Sequence, residues 1–126
     1  MFSHVMIGAN DVAESKSFYD TVLGALGHGP GVMDDKGRCF YFTKTGVFAL
    51  TKPIDGQAAS HGNGSTLGFS ATGTEQVDAW HAAGIAAGGS PCEDPPGLRE
   101  GAGMKLYLAY LRDPSGNKVC AMHRMA

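Results

Sequence analysis

The sequence has little charge, no long apolar run and few cysteines, and each shortage excludes a class of protein. Charged residues make up 17% of the chain and the net charge is −2, with no basic stripe, so a nucleic-acid partner is not expected. No apolar run reaches the length of a membrane-spanning helix, and Asp11 and Glu14 come too early for a signal peptide. We therefore expect a globular protein with no membrane partner.

The small number of cysteines and their spacing indicate the cellular compartment of the protein. The chain has three cysteines, Cys39, Cys92 and Cys120, an odd number without the CxxC spacing of redox or zinc motifs. Free thiols of this kind are typical of a reducing environment, because structural disulfides belong to secreted proteins. The pattern predicts a cytoplasmic protein.

What the chain does contain is an internal repeat with a period of about 62 residues. Residues 3–9 align with residues 65–71, and the same offset places Phe18 over Trp80. In each copy a strand-like run is followed by a helix-like run that closes at a glycine. The 126 residues therefore predict one domain built from two copies of one unit.

Each copy has the pattern strand, helix, then two or three strands. The first module covers about residues 1–55 and the second about residues 65–126, with a glycine-rich connector between them. Asp11 and Thr74 are the predicted N-caps of the two helices. The predicted fold is α+β: two tandem βαβββ modules that form a curved mixed sheet, with helices on the outer face and a concave cavity.

Two loops matter for the site. Asp113-Pro114-Ser115-Gly116 suits a type I turn between the last two strands, and residues 91–103 are predicted to be a loop that carries Arg99. Strand pairing across the turn then places Ala109 opposite Cys120. Period-two alternation groups Cys120 with five other side chains on one face: Lys105, Tyr107, Ala109, Lys118 and Met122.

Several motifs together resemble the vicinal oxygen chelate superfamily, which contains glyoxalases, bleomycin-resistance proteins and extradiol dioxygenases. They are His4-Val5, Ser17-Phe18-Tyr19, Leu23-Gly24 and Asp113-Pro114-Ser115-Gly116-Asn117. The resemblance covers nearly the whole chain. It implies a divalent metal, such as zinc, nickel, manganese or iron, held by His from the first strand of a unit and Glu from its last strand.

Only one of the four implied ligand positions keeps a family donor. His4 matches, whereas the equivalent position in the second half is Thr66 and the position of the last Glu is Cys120. The first-half counterpart of that Glu falls on Ala49 or Leu50. His4 is therefore either a metal ligand in an incomplete site or a strand histidine, and no cofactor is expected unless other residues complete the site.

Four further predictions concern the cavity. Cys120 is a candidate catalytic thiol if a nearby lysine favours its thiolate, and otherwise a small buried residue. Tyr41 and Tyr107 either line the cavity or pack within the sheets. Arg99 either grips a ligand carboxylate or remains solvated. With Thr66, these residues form the predicted ligand-binding set.

Three functions follow from these observations. The preferred one is a glyoxalase-related protein with a degenerate metal site that binds a small molecule in its concave cavity. The first alternative is a metal-dependent lyase or dioxygenase that uses His4. The second is a non-catalytic module that acts through dimerisation. A homodimer is expected in each case.

Overall fold

The computed structural model describes residues 1–125 and confirms an α+β fold. The first module consists of β1 (His4–Gly8), α1 (Val12–Ala25), β2 (Val32–Met33), β3 (Cys39–Thr43) and β4 (Gly46–Thr51). The second consists of β5 (Leu67–Ser70), α2 (Thr74–Ala86), β6 (Ser90–Pro91), β7 (Gly97–Gly101), β8 (Met104–Arg112) and β9 (Lys118–Met125). Neither helix in this part of the chain is long and apolar enough to cross a membrane.

Each module builds its own mixed sheet. The first sheet has the order β1-β4-β3-β2, and the second has the order β5-β9-β8-β6 with β7 also paired to β8. In both, the strand before the helix runs parallel to the last strand, and the other pairs are antiparallel. The repeat in the sequence therefore corresponds to a repeat in structure, although the modules contribute two sheets where a single curved sheet was expected.

The helices cover one face of each sheet. The Tyr41 hydroxyl reaches Asp20 of α1, and the Tyr107 hydroxyl reaches Asp78 of α2, which identifies the helix-covered side of the two sheets. One cluster of buried side chains includes residues of both modules, among them Trp80, which is fully buried. The opposite face of each sheet, which the helices leave uncovered, carries the side chains that alternate with these. It is called the outer face below, although the predicted fold used that word for the side with the helices.

The two helices meet at a glycine. A Cβ atom on Gly84 of α2 would lie 2.2 Å from Leu111 Cδ1 and 3.2 Å from Val22 Cγ1 of α1. Val22 and Gly84 are 62 residues apart, so they occupy the same position of the repeat. At this point one copy supplies a side chain and the other supplies the space for it, and the packing of the helices depends on that difference.

The turn between β8 and β9 ties the second module to the first. The buried Asp113 carboxylate accepts hydrogen bonds from the Tyr19 hydroxyl (2.6 Å), from the backbone N–H groups of Ser115 and Asn117, and from Asn117 Nδ2 (each 2.9 Å). Asn117 Nδ2 also donates to the Gly8 carbonyl at the end of β1 (2.9 Å). The motif that marks the family in the sequence is thus a structural clamp between the modules.

Two local predictions were wrong. Asp11 does cap α1, accepting from the Glu14 N–H, but the N-cap of α2 is Gly73 and Thr74 is its first helical residue. Residues 91–103 do not form a plain loop, because β7 pairs with β8 over five residues. The hairpin between these strands turns at Ala102 and Gly103, both with positive φ, and alanine seldom marks such a turn.

Candidate functional site: a cavity between the modules

A cavity of about 440 Å³ lies between the first sheet and the edge strand β5 of the second, and it is called the intermodule cavity below. Its volume is in the range of small-molecule sites in proteins. Residues from both modules line it: Phe2, His4, Val5, Leu23, His28, Tyr41, Thr43, Thr45, Gly46, Val47, Phe48, Thr66, Leu67, Gly68, Phe69 and Ser70.

Three aromatic side chains make its walls apolar. Phe48 and Phe69 come from different modules and meet edge to face with ring centroids 5.2 Å apart, while Tyr41 lies 5.8 Å from Phe48. The Tyr41 hydroxyl donates to Asp20 Oδ1 (2.8 Å) and to the Lys16 carbonyl (3.1 Å). Burial is the largest cause that raises the pKa of Tyr41, and the hydrogen bond to Asp20 is the second. Tyr41 therefore presents its ring to the cavity, and its uncharged hydroxyl is already hydrogen-bonded.

The structure brings together only part of the set predicted from sequence. His4, Tyr41 and Thr66 line the cavity, whereas Arg99, Tyr107 and Cys120 do not belong to its lining. His4 is exposed, and its Nδ1 lies 2.8 Å from Ser3 Oγ. Of the predicted set, His4 of β1, Tyr41 of β3 and Thr66 just before β5 are therefore the residues that can meet one ligand in this cavity.

The donors present do not fit the metal that the resemblance implies. Met6 pairs with Ala49 in the first sheet, and the equivalent Gly68 pairs with Cys120 in the second, which makes Ala49 the counterpart of Cys120. The ligand positions therefore offer one imidazole, the Thr66 hydroxyl and the Cys120 thiol, and no carboxylate. Within residues 1–125 no group of three or more His, Cys, Asp and Glu side chains is placed to share an ion. A site with so few donors would not hold a cation in a defined geometry.

The predicted register of β8 and β9 was wrong by one residue. Cys120 lies opposite Tyr110, and Ala109 lies opposite Ala121. The reason is the turn: the Asp113 N–H bonds to the Asn117 carbonyl and Gly116 has a φ of 90°, so three residues form the loop where the simpler prediction had four. A type I turn followed by a left-handed glycine is a common hairpin of this length.

The corrected register moves Tyr107 away from Cys120. Tyr107 lies on the helix-covered side, where its hydroxyl donates to Asp78 Oδ1 at 2.8 Å. The prediction that Tyr107 shares a face with Cys120 was therefore wrong, because a one-residue shift sends every side chain of a strand to the other face.

Cys120 is on the outer face of the second sheet and is 7% exposed. Burial raises the pKa of its thiol to about 11, and the opposing effect of the Lys118 ammonium is smaller. Lys118 is itself paired with the Glu93 carboxylate. The thiol is therefore protonated at neutral pH, which is the reverse of the activated thiolate that a nucleophile needs.

Arg99 lies on β7, opposite Leu106. Its Nη2 donates to the backbone carbonyls of Asp94 (3.1 Å) and Pro95 (3.0 Å), so the guanidinium closes the β6–β7 loop on itself. The prediction that placed Arg99 in a loop was wrong, because Arg99 is part of β7.

Sequence reasoning missed the residues that give the cavity its character. Phe48 and Phe69 are strand residues with ordinary apolar patterning, and only the contact between modules turns them into cavity walls. His28 follows the glycine that ends α1 and enters the lining through the chain reversal there. The one available signal was an imidazole directly after a helix stop, which is too common to single out a site.

The comparisons with known proteins agree with this geometry. The family model of the Glyoxalase/Bleomycin resistance protein/Dioxygenase superfamily matches residues 1–121, and the chain therefore belongs to that superfamily. Among curated proteins none matches the chain.

Several solved structures are similar to it. A glyoxalase/bleomycin resistance protein from Albidiferax ferrireducens T118 is 64% identical, with a TM-score of 0.95 over 98% of this chain and 99% of that one. A glyoxalase/bleomycin resistance protein/dioxygenase family enzyme from Burkholderia phytofirmans PsJN is 20% identical (TM-score 0.75, 98% of both chains). A lactoylglutathione lyase from Agrobacterium tumefaciens is 21% identical (TM-score 0.66, 98% and 92%). The last two likenesses support the fold alone.

Proposed function

We propose that this protein binds a small molecule in the intermodule cavity and does so without a metal ion. The observation that carries the proposal is the cavity itself, with a volume of about 440 Å³ and walls drawn from both modules. Its aromatic rings offer contact area for an organic ligand. The single imidazole at the ligand positions of the superfamily supports binding over metal-assisted catalysis.

The test uses N-phenyl-1-naphthylamine, an uncharged probe that fluoresces when it leaves water. We expect saturable one-to-one binding to the wild-type protein. Thr66→Trp, which adds an indole to the cavity wall, is expected to abolish it. Asn63→Trp is the matched control, because Asn63 is an exposed connector residue outside the lining. Equal binding by both variants would contradict a site in this cavity.

A metal titration separates the proposal from the enzyme alternative. Purified without chelator and titrated with zinc, nickel, manganese and iron(II), the protein is expected to retain none of them stoichiometrically. Tight one-to-one retention that is lost in His4→Ala would refute the metal-free proposal and favour a lyase or dioxygenase in its place. His123→Ala is the control, because His123 is paired with Tyr107 on the helix-covered side.

We further propose that the protein forms a homodimer through the outer face of the first sheet. That face exposes Phe42 (68%), Val32 (56%) and Met6 (37%), a degree of apolar exposure that single chains seldom leave uncovered. Sedimentation velocity is expected to show a dimer that Phe42→Glu dissociates. Ile54→Glu is the control, because Ile54 is fully exposed in the connector. A wild-type monomer at all concentrations would refute this proposal.

A cytoplasmic location is the remaining proposal. The three cysteines are free, and two of them, Cys39 and Cys120, are buried, which suits a compartment where thiols stay reduced. Fractionation of cells that express the tagged protein is expected to recover it with cytoplasmic markers. Recovery with secreted material would contradict the proposal.

A further inference from the structure

The lining of the intermodule cavity contains no carboxylate, ammonium or guanidinium group. Among the described residues that form it there is no Asp, Glu, Lys or Arg side chain. Its titratable groups are the imidazoles of His4 and His28 and the Tyr41 hydroxyl, which is already bonded to Asp20. The Asp20 carboxylate, which accepts from that hydroxyl, is itself paired with the Lys16 ammonium at 2.7 Å. The cavity therefore has no fixed charge to offer a ligand.

A ligand that carries a permanent charge would lose part of its hydration in this cavity and gain no ion pair in return. Transfer of an ionised group to such a place is strongly unfavourable unless a counter-charge or several hydrogen bonds receive it. An uncharged ring has no such cost. It can pack against Phe48 and Phe69 in the edge-to-face or offset arrangements that aromatic pairs prefer.

The rest of the lining selects for one polar group on that ring. Thr66, just before β5, and Ser70 of β5 contribute hydroxyls, and His28 contributes an imidazole from beyond the end of α1. A hydroxyl can both donate and accept, and an imidazole nitrogen can form a hydrogen bond with a hydroxyl as well, so these groups suit a ligand hydroxyl. Apolar walls with a few polar groups of this kind fix the orientation of a ligand without demanding charge.

We propose that the ligand of the intermodule cavity is an uncharged aromatic molecule with a hydroxyl substituent, and that His28 is one of the groups that position it. This inference rests on the proposed function, because it names the ligand class of the same cavity.

The test compares four probes that share one ring system: 2-naphthol, naphthalene, 2-naphthoic acid and 2-naphthylmethylamine. Affinity is measured at neutral pH by displacement of N-phenyl-1-naphthylamine and by calorimetry. We expect 2-naphthol to bind at least about tenfold tighter than the acid and the amine, which corresponds to about 1.4 kcal/mol. Equal or tighter binding of either charged probe would overturn the inference.

The role of His28 is tested on the same series. His28→Ala is expected to weaken 2-naphthol several-fold and to leave naphthalene unchanged, because only the hydroxyl loses a partner. His28→Gln is expected to restore part of the difference, and His123→Ala is the control with no effect. An equal loss for both probes, or no loss, would refute the positioning role. Thermal unfolding of each variant confirms that it is folded.

The two levels of the proposal fail in different ways. If N-phenyl-1-naphthylamine does not bind, or if Thr66→Trp does not block it, the proposed function fails. If that probe binds and is blocked while the charged naphthalenes compete as well as 2-naphthol, the function stands and the ligand class is wrong.

Discussion

Substitution of Gly84 by alanine probes how closely the two modules are packed where the helices cross. The added Cβ would lie 2.2 Å from Leu111 Cδ1 and 3.2 Å from Val22 Cγ1. Carbon atoms in contact are normally about 3.5–4.0 Å apart, so Leu111 has to move by more than an ångström. Leu111 and Val22 are both fully buried, and neither side chain can turn out into solvent.

Two effects of opposite sign set the magnitude. Alanine is favoured over glycine by about 1 kcal/mol in a helix interior. Overpacking of a well-filled core costs about 1–3 kcal/mol, and this site lies near the upper end because its closest neighbour is a buried leucine. We expect Gly84→Ala to lower the free energy of unfolding by about 1–2 kcal/mol.

Gly24→Ala is the matched control. Gly24 is near the end of α1, and a Cβ there would meet nothing within 4 Å, so the helix preference acts alone and stability should rise by about 0.5 kcal/mol. Urea unfolding of the two variants and the wild type measures the difference. A Gly84→Ala protein as stable as Gly24→Ala would refute the close packing inferred at the helix crossing.

Three further predictions concern titratable groups. Asp113→Asn leaves two of the four donors around the carboxylate without an acceptor and should lower the free energy of unfolding by about 2–3 kcal/mol. Asp55→Asn, at an exposed position, should change the free energy of unfolding little. Equal effects of the two substitutions in urea unfolding would contradict the clamp. Burial raises the pKa of Cys120 to about 11, so alkylation of Cys120 by iodoacetamide should be slow at neutral pH and accelerate towards pH 11. Mass spectrometry measures the alkylation. Faster labelling of Cys120 than of the half-buried Cys92 at neutral pH would disprove this prediction. Burial acts to raise the pKa of Asp20, but hydrogen bonds to the carboxylate outweigh burial and lower the pKa. The stability that the ionised carboxylate contributes is therefore present above the unfolded pKa and is lost as the pH falls through the folded pKa. The stability difference between wild type and Asp20→Asn should shrink below about pH 4, and a constant difference would contradict this prediction.

The sequence was informative where structure depends on local chemistry. The N-cap at Asp11, the glycine that closes α1 and the turn that begins at Asp113 all follow from the conformational preferences of the residues themselves. The repeat added the global pattern, because a period of about 62 residues relates the two modules before any contact is known. These features are set within a few residues or by symmetry, and they were predicted.

The register of the last hairpin shows where such reasoning stops. With the left-handed Gly116 the loop has three residues where four were predicted, and the shift moves Tyr107 from the face of Cys120 to the helix-covered face. Turn residues indicate that a hairpin exists, but they do not decide between loops of three and four residues. Turn residues alone therefore do not predict which side chains of the two strands share a face, nor a site built from those side chains.

The cavity depends on contacts that no single segment contains. His4 and Thr66 are equivalent positions of the repeat, and they line the cavity from the two modules. The repeat alone thus brings equivalent positions of the two halves to the same cavity, with an imidazole in one half and a hydroxyl in the other. Gly68 and Cys120 show how packing differs beside these positions, because the thiol sulfur lies 3.1 Å from where a Cβ on Gly68 would be and fills that space. A duplicated fold whose halves differ in this way presents two unlike walls to one cavity, and neither wall can be predicted until both modules are in place.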